Sequence, residues 1–69
     1  MIKNKIPRKF NRITAKIKIN TNMDEIGDIL HIFRNNFGFL GLNLRTGKYA
    51  YYFASMIRNG DIFEFLEVC

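Results

Sequence analysis

Residues 12–19 read Arg12-Ile13-Thr14-Ala15-Lys16-Ile17-Lys18-Ile19, so that apolar and polar side chains alternate one by one. Successive side chains of a β-strand point to opposite faces of the sheet, and alternation with β-branched residues is typical of a strand that buries one face. The polar positions are basic except for one threonine. The stretch therefore predicts a half-buried strand whose exposed face is cationic.

The pattern changes to a helical one directly after this strand. Asn22 stands three residues before Glu25, which is the spacing of a capping box. The acids of this segment, Asp24, Glu25 and Asp28, would occupy the first turns, where the helix dipole favours negative charge, and this explains them better than a metal cluster does. The apolar residues that follow recur at the spacing of one helical face: Ile26, Ile29, Leu30, Phe33 and Phe37. We predict a helix from about residue 23 to residue 37, ended by Gly38.

The rest of the chain contains turn signals between short apolar segments. Leu40, Leu42 and Leu44 alternate with smaller or polar residues, and residues 45–48 have the composition of a turn. Residues 49–57 fit a strand or a helical stripe, and their aromatic content favours a strand. Asn59-Gly60 is a strong hairpin signal before a last strand over residues 61–68. This last strand could form an edge of the sheet.

These elements give the order β-α-β-β-β. The fold class that they predict is α+β: a small single domain with one helix packed on a four-stranded, mainly antiparallel sheet. The strand at residues 12–19 is expected at an edge of that sheet. Residues 1–11 contain Pro7 and scattered apolar residues, and we interpret them as a basic N-terminal arm that precedes a domain over residues 12–69.

The composition limits how such a chain can be stabilised. Its 69 residues suffice for one domain, and a domain of this size is only marginally stable. The single cysteine, Cys69, has no internal partner for a disulfide, and one Cys with one His cannot form a structural zinc site. We therefore expect no cofactor or metal, and we expect a homo-oligomer such as a homodimer.

The same composition bears on the location of the protein. No apolar run approaches the ~20 residues that span a bilayer, and Lys3 and Lys5 are not followed by the apolar segment of a signal peptide. Together with the unpaired cysteine, this predicts a cytoplasmic protein that does not use a membrane. The abundance of Ile, Asn, Lys, Phe and Tyr, which AT-rich codons encode, hints at a phage or bacterial accessory protein.

The charge distribution is the main functional signal. Residues 1–20 carry a net charge of +7 with no acid, whereas residues 21–69 carry −2, and together they give the net charge of +5. Lysine and arginine bind phosphate backbones by releasing counterions, so the asymmetry indicates a nucleic-acid partner, RNA more than DNA, bound with little sequence specificity. The candidate nucleic-acid-binding residues are Lys3, Lys5, Arg8, Lys9, Arg12, Lys16, Lys18, Arg45, Lys48 and Tyr51.

The aromatic residues of segment 49–53 allow two interpretations. Adjacent side chains of a strand point to opposite faces, so Tyr51 and Tyr52 cannot both be buried. The exposed one could stack on unpaired bases, or it could lie in a dimer interface. The charge asymmetry within the chain also allows a basic segment of one subunit to contact the acidic part of another.

Catalysis has little support in the sequence. The one histidine, His31, falls inside the predicted helix, and Gly47-Lys48 lacks the spacing of a P-loop. We predict a non-enzymatic protein with no catalytic residues, which binds nucleic acid and could modulate a nucleic-acid-processing enzyme. The alternatives are a protein–protein inhibitor or antitoxin whose basic arm docks on an acidic protein partner, and a small ribonuclease that uses His31.

Overall fold

Five antiparallel strands in a single sheet form the framework of the protein. The computed structural model describes residues 3–69, so the first two residues of the predicted arm lie outside it. The elements are β1 (Ile13–Ile17), β2 (Ile29–Asn35), β3 (Gly38–Asn43), β4 (Tyr49–Tyr52), α1 (Ala54–Arg58) and β5 (Phe63–Val68). The strand order is β4-β3-β2-β1-β5. The α+β class and the antiparallel sheet are confirmed, with five strands instead of four.

The alternating stretch at residues 12–19 forms β1 as predicted, but it does not lie at an edge. It pairs with β2 on one side and β5 on the other. Its apolar side chains, Ile13, Ala15 and Ile17, have no exposed surface. An interior position allows neighbouring strands to cover these side chains from both sides, and burial of apolar surface is the largest favourable contribution to folding.

The predicted helix over residues 23–37 is wrong, because residues 29–35 form β2. Leu30 and Ile32 are buried in the core, whereas Ile29, His31 and Phe33 lie half-buried on the other face of the sheet. Because both faces of the strand are apolar, its sequence does not alternate between apolar and polar residues. Its apolar residues also match the spacing of one helical face, which explains the wrong prediction.

The capping signals of that segment act in a loop between β1 and β2. The Thr21 hydroxyl accepts the backbone N–H of Asp24 at 3.1 Å, and the Asp28 carboxylate accepts that of Glu25 at 2.9 Å. Short polar side chains make the same bonds in turns as at helix N-termini. Gly38, predicted to end the helix, instead follows the two-residue turn between β2 and β3, where its φ of +128° requires glycine.

Residues 49–57 are divided between a strand and a helix. Tyr49–Tyr52 form β4 as predicted, whereas the one-turn helix α1 buries Ile57. The predicted hairpin at Asn59-Gly60 is wrong. The Asn59 carbonyl accepts the N–H groups of Ile62 and Phe63, both at 3.1 Å, in a turn that joins α1 to β5. The final strand is confirmed as an edge strand, and its Phe63 is buried in the core.

The sheet is strongly curled around the core. Tyr52 and Phe63 belong to the two opposite edge strands, and in a flat sheet four strand spacings would hold them roughly 19 Å apart. Their rings instead meet edge to face, with centroids 5.7 Å apart. The concave side of the sheet therefore contains the core, and its other side is convex.

Residues 3–11 run from the turn before β5 to the start of β1 and pack against the core. The Asn4 side chain donates to the carbonyls of Ile57 and Phe63, at 3.0 and 2.9 Å, and the Asn11 N–H donates to the carbonyl of Cys69 at 2.7 Å. Between these ends, Ile6 and Phe10 contact the core. The basic residues of this segment are thus held on the folded body.

Candidate nucleic-acid interface

Five basic residues line two depressions beside the segment 3–11, and a sixth is exposed on that segment. Arg8, Lys9 and Arg34 line an open cleft of about 480 Å³, and Lys3 and Arg58 line a smaller one of about 260 Å³. Lys5 is exposed on the segment between them. Neither cleft is lined by an aspartate or glutamate from residues 3–69. We call this set the arm surface: Lys3, Lys5, Arg8, Lys9, Arg34 and Arg58.

Arg34 is held in place by contacts with two other parts of the chain. Its guanidinium carbon lies 5.4 Å from the ring centroid of Phe10 and 4.9 Å from that of Phe39, and these two rings are parallel with centroids 6.4 Å apart. It also donates one hydrogen bond to the Arg8 carbonyl at 2.8 Å. A guanidinium has five N–H donors, so others remain for a ligand. Arg34 is not among the binding residues predicted from the sequence, and it lies within the segment predicted as a helix.

Three predicted binding residues are instead engaged within the protein. Arg12 forms an ion pair with Glu67 at 3.2 Å, and the Lys18 ammonium donates to the Gly60 carbonyl at 2.7 Å. Arg45 binds the Asp28 carboxylate through two nitrogens, at 2.7 and 3.0 Å. These contacts reduce the capacity of the three side chains to bind phosphate.

The other predicted residues are separated from the arm surface. Lys16 lies on the convex side of β1, opposite Glu64 of β5, and Lys48 is exposed in the turn between β3 and β4. Tyr51 also faces the convex side, where it is 52% exposed and its hydroxyl accepts a hydrogen bond from Asn35 at 3.1 Å, whereas Tyr52 is only 6% exposed. The prediction that these two tyrosines face opposite sides is confirmed.

The convex side of the sheet has no covering layer among residues 3–69. Cross-strand register brings apolar and aromatic side chains together on β2, β3 and β4, with basic and acidic residues on the β1 and β5 side. We call the apolar part the convex face: Ile29, His31, Phe33, Leu40, Leu42, Tyr49 and Tyr51. His31 packs edge to face with Phe33, with centroids 6.4 Å apart. Its cross-strand neighbours, Thr14 and Leu42, are uncharged.

A buried polar cluster connects the loop before β2 to the end of β3. The Asn43 amide donates to Asp24 at 2.7 Å and to Asp28 at 2.8 Å, and the Tyr52 hydroxyl donates to Asp24 at 2.7 Å. The hydrogen bonds from Arg45 hold the pKa of Asp28 well below its ordinary value, assisted by the backbone of Glu25 and by Asn43. Burial and then the hydrogen bond to Asp24 raise the pKa of Tyr52.

These shifts predict a loss of stability at both ends of the pH range. Asp28 has a lowered pKa in the folded state, so its contribution is present above its ordinary pKa of 3.8 and is lost as the pH falls below that value toward the folded-state pKa. Tyr52 has a raised pKa, so its contribution is complete below pH 10.0 and is lost above it. We expect the thermal midpoint to decrease in both directions from neutral pH.

Thermal unfolding followed by circular dichroism between pH 3 and pH 11 measures both effects. Asp28→Asn should flatten the acidic part of the profile and Tyr52→Phe the alkaline part, whatever their effect at neutral pH. If the thermal midpoint of Asp28→Asn falls as steeply with decreasing pH as that of the wild type, other carboxylates cause the loss of stability in acid.

Nothing in residues 3–69 suggests a metal site or a membrane span. No group of three or more His, Cys, Asp or Glu side chains in this range is arranged to hold a metal ion. No helix in this range has the length and apolar character to cross a membrane. Comparison of the chain with protein-family models, curated proteins and solved structures finds no match.

Proposed function

We propose that this is a small, basic, non-enzymatic protein that binds nucleic acid through the arm surface. The observation that carries the proposal is the convergence of Arg8, Lys9 and Arg34 on one open cleft without a carboxylate side chain. Three further cations extend the basic surface along the same side. Clustered basic side chains of this kind raise the local concentration of polyanions and bind their phosphates.

The internal ion pairs support this assignment by concentrating the positive charge. Arg12 and Arg45 are matched by Glu67 and by Asp28 with Glu25, at distances of 2.7 to 3.6 Å. The six residues of the arm surface form no ion pair within residues 3–69. The arm surface therefore carries a charge of +6, and the other five bases and six acids sum to −1, which together give the net charge of +5.

The aromatic ring beside the cations favours a single strand, and we propose RNA as the preferred partner. The cleft is shallow and open and lies beside the Phe10 ring, which packs only partly into the core. Grooves with cations and an adjacent aromatic ring are common in proteins that bind single strands. Contacts to phosphate carry no sequence information, so we expect low specificity. Such a protein could modulate a nucleic-acid-processing enzyme by occupying its substrate.

Charge reversal on the arm surface tests the proposal. Lys9→Glu should weaken binding to single-stranded RNA about tenfold at low salt and lower the salt slope by about one, because one phosphate contact is lost. Lys48→Glu changes the net charge equally at an exposed position outside the arm surface, and we expect little change. Fluorescence anisotropy with labelled RNA and duplex DNA, from about 50 to 200 mM salt, measures both.

The same titrations separate the alternatives. Equal losses in Lys9→Glu and Lys48→Glu would mean that overall charge, and not the arm surface, attracts the polyanion. Absence of binding even at the lowest salt would reject the proposal and favour an acidic protein partner for the same surface. RNA cleavage that is abolished by His31→Ala would instead identify a ribonuclease.

A further inference from the structure

The convex face is a large apolar surface for a protein of this size. Tyr49 is 61% exposed and Tyr51 52% exposed, and these two rings leave roughly 200 Å² in solvent. Four half-buried apolar side chains continue the surface across β2 and β3: Ile29, Phe33, Leu40 and Leu42. The largest apolar patches of monomeric proteins cover about 300–600 Å² and are often interaction sites.

The charges around the convex face argue against nucleic acid as its partner. Lys16 lies directly opposite Glu64, and Glu67 pairs with Arg12 on the same side of the sheet. Two bases are thus paired with two acids, and Lys18, which donates to the Gly60 carbonyl, adds one positive charge on the same face of β1. A phosphate backbone that crossed this side of the sheet would meet two carboxylates, whereas a protein surface with balanced charges would meet no net repulsion.

We infer that the convex face is the interface of a homodimer. Two copies that meet through the arm surface would repel each other, because each brings six cations to the contact. The seven residues of the convex face carry no net charge, so two copies that meet through them do not repel each other in this way. A stable interface buries about 800 Å² on each partner, so the apolar patch would form its centre and the charged residues of β1 and β5 its rim. A two-fold axis pairs the same patch with itself.

Dimerisation through this face has two consequences. It gives a 69-residue domain the additional apolar burial that chains of this size need for stability. It also leaves both arm surfaces directed away from the interface, so that one dimer presents two separate basic clefts. The inference does not depend on the proposed function, because dimerisation is measured without nucleic acid.

Sedimentation velocity and light scattering of the full chain test the inference. We expect a particle of twice 8.1 kDa, with a dissociation constant in the micromolar range or tighter. Tyr49→Lys/Tyr51→Lys should raise that constant at least about tenfold, because exposed aromatic residues at the centre of an interface contribute much of its affinity. Phe37→Lys/Phe53→Lys is the matched control, since it replaces two exposed aromatics outside the convex face with the same change in charge.

Each outcome decides the question. A dimer that the tyrosine variant dissociates and the phenylalanine variant leaves intact supports the inference, provided that circular dichroism shows both variants folded. A monomeric wild type at concentrations well above the micromolar range overturns it. A dimer that survives in the folded tyrosine variant also overturns the inference. So does a monomeric wild type whose RNA affinity falls when the two tyrosines are replaced, because that loss would assign the tyrosines to base stacking.

Discussion

Replacement of Asn43 by alanine is expected to leave the domain largely unfolded at room temperature. The side chain is 3% exposed and takes part in four hydrogen bonds. Its amide nitrogen bridges the carboxylates of Asp24 and Asp28, and its oxygen accepts the backbone N–H groups of Arg45 and Thr46 at 2.8 and 3.2 Å. Alanine would leave all four partners without this bond.

The size of the effect follows from the four lost bonds themselves, because Asp24 keeps its bond from Tyr52 and Asp28 keeps those from Arg45. A neutral hydrogen bond contributes about 0.5–1.5 kcal/mol, and one to a charged group about 1.5–3 kcal/mol. Together the lost bonds amount to about 4 kcal/mol, which is comparable to the 3–5 kcal/mol that the core of a domain this small supplies. Apolar burial elsewhere is unchanged, so nothing offsets the loss.

Urea denaturation followed by circular dichroism measures this prediction. Asn36→Ala is a suitable control, because Asn36 is exposed in the turn between β2 and β3, and we expect its free energy of unfolding to change by less than about 0.5 kcal/mol. A loss below about 1 kcal/mol in Asn43→Ala would show that water replaces the amide and that the cluster is not required for folding.

The second large effect is expected at Gly41, which faces the core from β3. A Cβ atom there would lie 2.6 Å from Cε2 and 3.0 Å from Cδ2 of Tyr52, and 3.4 Å from Cδ2 of Leu30. Tyr52 cannot easily move aside, because its hydroxyl is bonded to Asp24 and its ring packs on Phe63. Strand propensity alone would favour alanine over glycine by roughly 0.5–1 kcal/mol. The clash is the larger effect, and we expect Gly41→Ala to destabilise the protein by about 3 kcal/mol.

A double-mutant cycle isolates the cause of this loss. If the Tyr52 ring is the obstacle, Gly41→Ala should cost at least about 1 kcal/mol less in a Tyr52→Leu background than in the wild type. Additive effects of the two substitutions would indicate that the backbone of β3, and not the ring, sets the requirement for glycine.

Local sequence patterns predicted the elements whose two faces differ. Residues 13–17 alternate strictly, and they form β1. A turn is predicted at residues 45–48 from their glycine and threonine, and the structure has the turn at residues 44–46. The helix predicted over residues 23–37 failed because β2 packs apolar side chains on both faces, the core on one and the convex face on the other. A strand of this kind has no signature that distinguishes it from a helix of the same composition.

The candidate site was predictable only in part for a related reason. The excess of lysine and arginine in residues 1–20 is visible in composition, and four of these residues belong to the arm surface. Arg34 joins them through two phenylalanine rings that belong to the arm and to β3. Arg12 is neutralised by Glu67, 55 residues away, so its predicted role changes with a contact that no local pattern records.

The sequence by itself determined the strand at residues 13–17 and the cationic N-terminal segment, because charge and side-chain alternation are local properties. Only the tertiary structure decided which cations remain available and which face of the sheet stays uncovered. Both results depend on contacts between residues distant in sequence. Such contacts pair Arg12 and Arg45 with acids, and they hold residues 3–11 against the curled sheet. Such contacts form only when the whole core is buried, since each is too weak alone to offset the entropy of ordering the chain.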